Sequence, residues 1–316
     1  MSGIAATIRS VFSKIAFIAA LSLAALLQLA FTAPPTGAFP ADFMLVTADF
    51  GTALYQRPSP YGTTDYVQVI RLDQGASLQL LHGPIVDPGQ GEGVYGGDNP
   101  LIATLSLRDV WDAFSPNQPQ AFCLTNGQFY SSHTSSVRLS FPVKIDSQIV
   151  SDGFAIDQFS DHQLMLEIWP HGADIVPLSE AALLRSSAPH ILGGLAEYAD
   201  GRRPNHITGR TFVGVGQPQR DGRYSTIYLF TSRLARKTEV VATLHSFGAE
   251  KVMMLDGGAS SQLICQGEAY VGPGRFVPQT IAVLAAPPLP AQPGCHAESV
   301  LSWSAYQGPF TGHRWC

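Results

Sequence analysis

The stretch from Val252 to Ser261 constrains this chain most. An apolar run, Val252 to Leu255, ends there in a carboxylate, two glycines and two hydroxyls: Asp256-Gly257-Gly258-Ala259-Ser260-Ser261. Such a run reads as a buried strand opening into a polar loop with an accessible backbone. Glycines lack a Cβ, so a bound group can approach the main chain. The Gly257 and Gly258 amides with the Ser260 and Ser261 hydroxyls can cradle an anionic oxygen while Asp256 handles a proton. Upstream, the pattern predicts a helix from about Lys237 to Ser246, burying Val240, Val241, Leu244 and Phe247 and closed by Gly248. Lys251–Leu255 follows as a strand. A strand–helix–strand crossover is therefore expected, leaving Asp256 at a strand's C-terminal end, where ligand loops gather in layered folds.

Asp-Gly alone is a common turn signal, and it recurs at Asp152-Gly153, Asp200-Gly201 and Asp221-Gly222. Asp221-Gly222 lies between the β-rich runs Thr211–Val215 and Thr226–Phe230, which predicts a hairpin. At Asp256 two hydroxyls follow instead of a return strand. Further strands are expected at Tyr66–Leu72, Ser77–Leu81, Ala121–Leu124, Leu164–Trp169 and Ile191–Tyr198. Ser106 is placed to cap a helix running through Phe114, with Asp109 closing a capping box and Leu107, Val110, Trp111 and Phe114 on one face. The glycine-rich segment between His82 and Pro100 carries Asp87, Glu92 and Asp98, but their spacing does not match an EF-hand loop.

With 316 residues, 45% apolar and 14% charged, the chain is able to fill a sizeable core. A net charge of −5 and the lack of a basic stripe argue against nucleic acid as a partner. Arg9 and Lys14 precede an uncharged apolar stretch, Ile15–Ala33, then Pro34-Pro35. This pattern predicts export, either by a cleaved signal peptide or by a signal anchor that would be the only tie to a membrane. Residues 1–38 are read as signal and linker, 39–286 as a single catalytic-type domain, and 287–316 as a Pro/Gly-rich tail. Four cysteines in an exported chain permit disulfides in three pairings. A Cys295–Cys316 bridge closing the tail is the preferred expectation. No cysteine or histidine spacing suggests a metal, and no cofactor is expected.

In chain order, several stretches resemble the phosphodiester glycosidase domain family, over roughly Ser106 to Leu284. Asn126-Gly127-Gln128-Phe129-Tyr130 stands for the family's Asn-Gly-Gly-Phe-Phe. Gly209-Arg210-Thr211 with Val213-Gly214-Val215 stands for its Arg-Thr-Ala-x-Gly. Leu255–Ser261 stands for Leu-Asp-Gly-Gly-Gly-Ser-Ser, and Val277-Pro278-Gln279 for Val-Pro-Asn. The resemblance implies an α+β domain of twisted mixed or antiparallel sheets with a few flanking helices. It also implies hydrolysis between a sugar's anomeric carbon and a phosphodiester oxygen, on envelope or extracellular glycans. In that reading Arg210 grips the phosphate oxygens as a fork, and Gly127, Gly257, Gly258, Ser260 and Ser261 line the substrate. Asn126 orients sugar or leaving group, and Asp256 does acid/base work or stabilises positive charge at the anomeric carbon. Glycosidases commonly use two carboxylates, and Asp152, Asp157 and Glu268 are candidates for a second.

Two positions depart from the family pattern. Gln128 replaces the second glycine of the first motif and Ala259 the third glycine of the other, each adding a side chain where the family's backbone needs room or a positive φ. At Gln128 three outcomes are open: a narrowed pocket, a changed substrate choice or lost catalysis. That departure keeps a second reading open, a non-catalytic glycan- or exopolysaccharide-binding protein, with Trp303, Tyr306 and Trp315 of the tail as sugar-stacking aromatics.

Overall fold

A computed structural model of the chain describes residues 39–132, 134–158, 162–199 and 205–287. The N-terminal apolar stretch and the tail with Cys295, Cys316 and its aromatics lie outside the described residues. Among the described residues, no helix is long and apolar enough to cross a membrane.

The largest sheet contains β1 (Met44–Asp49), β2 (Thr52–Pro58), β3 (Thr64–Arg71), β9 (Val143–Ile145), β10 (Gln148–Ser151), β11 (Gln163–Trp169), β12 (Gly172–Pro177), β13 (His190–Ala196), β14 (Thr208–Pro218), β15 (Tyr224–Ala235) and β16 (Ala249–Met254). A second sheet contains β4 (Ser77–His82), β7 (Ala121–Asn126), β17 (Leu263–Cys265), β18 (Glu268–Val271) and β19 (Gln279–Leu284), in the order β18-β17-β7-β19-β4. A small third sheet joins β5 (Ile85–Asp87), β6 (Leu101–Ala103) and β8 (Ser136–Val137). The helices are α1 (Leu107–Phe114), α2 (Glu180–Arg185) and α3 (Lys237–Ser246). This is the expected α+β class. The pairings among the named strands are antiparallel, so the "mixed" alternative drops out.

Strand alternation sorts the side chains into layers. Val213, Val215, Ile227, Leu229 and Met253 of the large sheet, with Leu255 just past β16, share one core with Leu78, Leu80, Cys123, Ile281 and Val283 of the second sheet. The alternate residues Phe212, Tyr228, Phe230, Val252 and Met254 point the other way and pack with Val240, Leu244 and Phe247 of α3 and the residues after it. On the outside of the second sheet, Leu124, Ile264 and Ala282 receive Leu107 and Trp111 of α1. Ser106 caps α1 by accepting from the Asp109 amide at 3.0 Å. The second half of the expected capping box is replaced: its hydroxyl donates to the Asp109 carboxylate.

The expected crossover forms, with one strand inserted. β15 and β16 each pair antiparallel with β14 from opposite sides, so they run in the same direction and α3 carries the chain across β14. The Asp221-Gly222 turn joins β14 to β15, with Gly222 at φ +84°. Gly248, at φ +102°, follows α3 and donates to the His245 carbonyl at 2.9 Å. Asp256 therefore lies two residues past the C-terminal end of β16.

Cys123 of β7 and Cys265 of β17 are register partners on adjacent strands and form a disulfide. That leaves Cys295 and Cys316 as the remaining pair among the four cysteines. The bridge joins residues 142 apart in sequence and is fully buried. Replacing both Cys123 and Cys265 by Ser is expected to lower the unfolding free energy by about 2–5 kcal/mol. Urea denaturation of the parent and the double variant measures this, and coincident curves would contradict it.

Candidate active site

Three separated stretches of sequence meet at the loop that follows β16: the end of β7, the start of β14 and the loop itself. Leu255 donates its amide to the Thr211 carbonyl of β14 at 2.9 Å, and Asp256 donates to the Gly127 carbonyl beyond β7 at 3.1 Å. The Asn126 side chain, 1% exposed, completes the junction. Its Nδ2 donates to the Asp256 carbonyl at 2.8 Å. Its Oδ1 accepts from the Thr211 hydroxyl at 2.9 Å and from the Gln262 amide at 3.2 Å. The Asn126 amide is thus built into the loop's support rather than held out for a ligand.

Glycines make this approach feasible. A Cβ at Gly209 would collide with the Gly258 carbonyl, and one at Gly257 would stand 2.6 Å from the Gly209 carbonyl. Gly258 adopts φ +64°, a conformation costly for other residues. A Cβ at Gly127 would run into the Gln279 amide, whose Oε1 accepts from the Gln128 amide at 3.0 Å.

A narrowing at Gln128 does not occur. The side chain is 2% exposed and turned inward, where its Oε1 accepts from the Phe141 amide at 2.9 Å. Neither Gln128 nor Ala259 is among the non-glycine residues with positive φ, so neither substitution strains the backbone.

The predicted site residues separate into surface and support. Asp256, Gly257 and Gly258 are half-buried, whereas Ser260 and Ser261 are fully buried. The Gly257 amide donates to the Asp256 Oδ1 at 2.9 Å, which fixes the carboxylate's orientation. The Ser261 Oγ lies 3.3 Å from the Thr211 hydroxyl, packed against β14. The Ser260 Oγ lies 3.2 Å from the Tyr130 phenol.

Arg210 occupies the face of β14 opposite Thr211, because consecutive strand residues alternate. Its Cα is 3.8 Å from where a Gly257 Cβ would stand, so the side chain departs directly beside the loop. The side chain is buried and donates to the carbonyls of His206 at 2.8 Å and Ala235 at 3.4 Å. Desolvation lowers its pKa from the ordinary guanidinium value. Among the described residues no carboxylate pairs with it.

Of the three candidate second carboxylates, Asp152 is buried and accepts from the Gly97 amide at 2.7 Å, bracing the glycine-rich loop. Glu268 is exposed on β18. Nothing is described of the Asp157 side chain.

Sequence reasoning missed Tyr130 and Arg275 as site residues. Burial pushes the Tyr130 phenol up in pKa, Ser260 and Arg275 pull it down, and the Asp256 charge pushes it further up. The phenol thus feels both the carboxylate and the guanidinium. A Cβ on Gly258 would stand 3.9 Å from the Arg275 Nη2 and 3.8 Å from the Thr208 hydroxyl. The available signal was a lone arginine in Gly272-Pro273-Gly274-Arg275, immediately before the Val277-Pro278-Gln279 motif.

No protein-family model matches the chain, and no curated protein matches its sequence. In fold it is similar to the catalytic domain of zebrafish N-acetylglucosamine-1-phosphodiester alpha-N-acetylglucosaminidase, auto-inhibited by its pro-peptide. The TM-score is 0.50 at 13% identity, over 80% of this chain and 85% of that one. A hypothetical protein from Synechocystis aligns with TM-score 0.42 at 14% identity, over 80% and 64% of the two chains. A protein of Burkholderia pseudomallei K96243 described as exported aligns with TM-score 0.37 at 13% identity, over 70% and 74%. The first of these establishes a shared fold with a phosphodiester glycosidase domain.

Replacing Asn126 by Ala strands the Asp256 carbonyl, the Thr211 hydroxyl and the Gln262 amide together. The expected loss is roughly 2–4 kcal/mol of unfolding free energy. Chemical denaturation reads it, and a loss below about 0.5 kcal/mol, the scale of an ordinary surface substitution, would contradict the supporting role.

Proposed function

We propose that the protein is an exported hydrolase cleaving the bond between a sugar's anomeric carbon and a phosphodiester oxygen, on envelope or extracellular glycans. The observation that carries this reading is the convergence of Asn126-Gly127, Gly209-Arg210-Thr211 and Asp256–Ser261 on one oriented carboxylate. The shared fold supports it, and the buried disulfide suits an oxidising compartment outside the cytoplasm.

In this mechanism Asp256 acts at the anomeric carbon. Water attacks that carbon, Asp256 takes a proton from it, and the C–O bond breaks with its electron pair remaining on the phosphate oxygen. The leaving group is a phosphomonoester, a good anion that departs without protonation, so a single carboxylate suffices. Charge on the phosphate rises by one as the bond breaks. Preorganised donors in a partly dehydrated site stabilise that gain. Arg210 contributes positive potential from beside Gly257, and among the described residues no carboxylate cancels that potential. Asn126 acts as a positioning residue that sets the Asp256 backbone.

The test incubates the parent and its Asp256→Ala variant with a panel of sugar-1-phosphodiesters and follows free sugar. The parent is expected to release sugar, and the variant to lose roughly 100- to 10,000-fold in kcat. Undiminished release by the variant would remove Asp256 from the chemistry. No release by the parent across the panel would favour a glycan-binding protein that keeps the fold.

A further inference from the structure

We propose that the phosphate of the substrate is held by Arg275 and Tyr130, on a strap pinned to both motif loops. This inference rests on the phosphodiester reading above and locates the anion within it.

The strap is the segment 272–276 between β18 and β19. Its backbone is tied down at every point that matters for aiming Arg275. The Arg275 amide donates to the Ala259 carbonyl at 2.9 Å, next to Gly258 in the Asp256 loop. The Gln262 side chain brackets the same residue: its Nε2 donates to the Arg275 carbonyl at 2.7 Å, and its Oε1 accepts from the Gly274 amide at 3.2 Å. Gln262 is itself buried, with its amide held by Asn126 and its carbonyl by the Thr125 hydroxyl at 2.8 Å. At the strap's other end the Tyr130 phenol donates to the Phe276 carbonyl at 3.3 Å. The backbone beneath the guanidinium is therefore already ordered, which lowers the entropy cost of aiming it at a ligand.

The two groups suit a phosphodiester that becomes a phosphomonoester. A guanidinium offers a planar fork of donors that matches two phosphate oxygens. Tyr130 stands between Ser260 and the strap, within electrostatic reach of Asp256 as well as Arg275. Its single hydroxyl hydrogen can turn from the Phe276 carbonyl to a third phosphate oxygen, and burial pushes the phenol's pKa up. Asp256 and the anion-holding groups then flank one glycine, Gly258, which leaves the scissile C–O bond between carboxylate and guanidinium. Arg210, committed to two carbonyls on the far face of β14, supplies potential from behind the loop rather than a direct grip.

The experiment uses the full chain and its Arg275→Gln, Arg275→Lys and Tyr130→Phe variants, with Arg108→Gln as a surface control. The probe is dimethyl phosphate, a phosphodiester with no glycosidic bond, whose binding is titrated by NMR; sugar-1-phosphodiester kinetics are measured in parallel. Arg275→Gln is expected to weaken dimethyl phosphate binding roughly ten- to hundredfold. Arg275→Lys, which keeps charge and fold but loses the fork, is expected to fall between. Tyr130→Phe is expected to lower kcat more than it raises KM, since its hydrogen bond strengthens as charge develops. Dimethyl phosphate bound equally by the parent and both Arg275 variants, or not bound by the parent, would overturn the cradle. Arg275-dependent binding in a parent that hydrolyses nothing would uphold the cradle and refute the glycosidase reading alone.

Discussion

The amide of Asn126 is the interaction on which the site depends. One side chain satisfies the Asp256 carbonyl, the Thr211 hydroxyl and the Gln262 amide, so the end of β7, the start of β14 and the loop after β16 cannot separate without leaving buried polar groups unpaired. These belong to two different sheets. Their large shared core makes the sheets close, but a core of Val, Leu and Ile is tolerant of small slips. Directional hydrogen bonds at the junction fix the last fraction of an ångström. Through Gln262 the same network reaches Arg275, so an acid and a cation from distant sequence positions share one support.

Charge placement follows from the layering. The shared core between the sheets has no tolerance for an unpaired ion, and β14 turns Thr211 toward it and Arg210 away. On the α3 side Arg210 is still buried, and desolvation works against its charge. Two backbone carbonyls offset part of that cost, but a carbonyl is a dipole, not a counter-ion. Such a cation beside a glycine loop adds positive potential there. The buried, inward Gln128 fits the same scheme, since it braces the Phe141 backbone instead of entering the site.

Much of the frame was legible in the sequence because it rests on local rules. The α3 boundaries follow from Gly248 and the period of Val240, Leu244 and Phe247, and the β14–β15 hairpin follows from Asp221-Gly222. Register was not legible. Cys123 and Cys265 pair because β7 and β17 align them, a relation between strands 142 residues apart that four cysteines alone leave open among three pairings. The insertion of β14 between β15 and β16 was hidden for the same reason. In the site, Asp256 stands out as the end of an apolar run, whereas the burial of Ser261 against β14 is hidden in the sequence because side-chain direction in a glycine loop has no simple period. Arg275 was missed because a lone arginine among Gly and Pro resembles any surface loop until the strap is seen against Gly258.

The proposed mechanism breaks the bond on the sugar side of the bridging oxygen, with Asp256 activating water at the anomeric carbon. Hydrolysis in water enriched in oxygen-18, followed by phosphorus NMR of the released phosphomonoester, tests this directly. Attack at the anomeric carbon leaves a phosphate with no heavy oxygen, the label having entered the sugar; an isotopically shifted phosphate signal would mean attack at phosphorus and would contradict the mechanism.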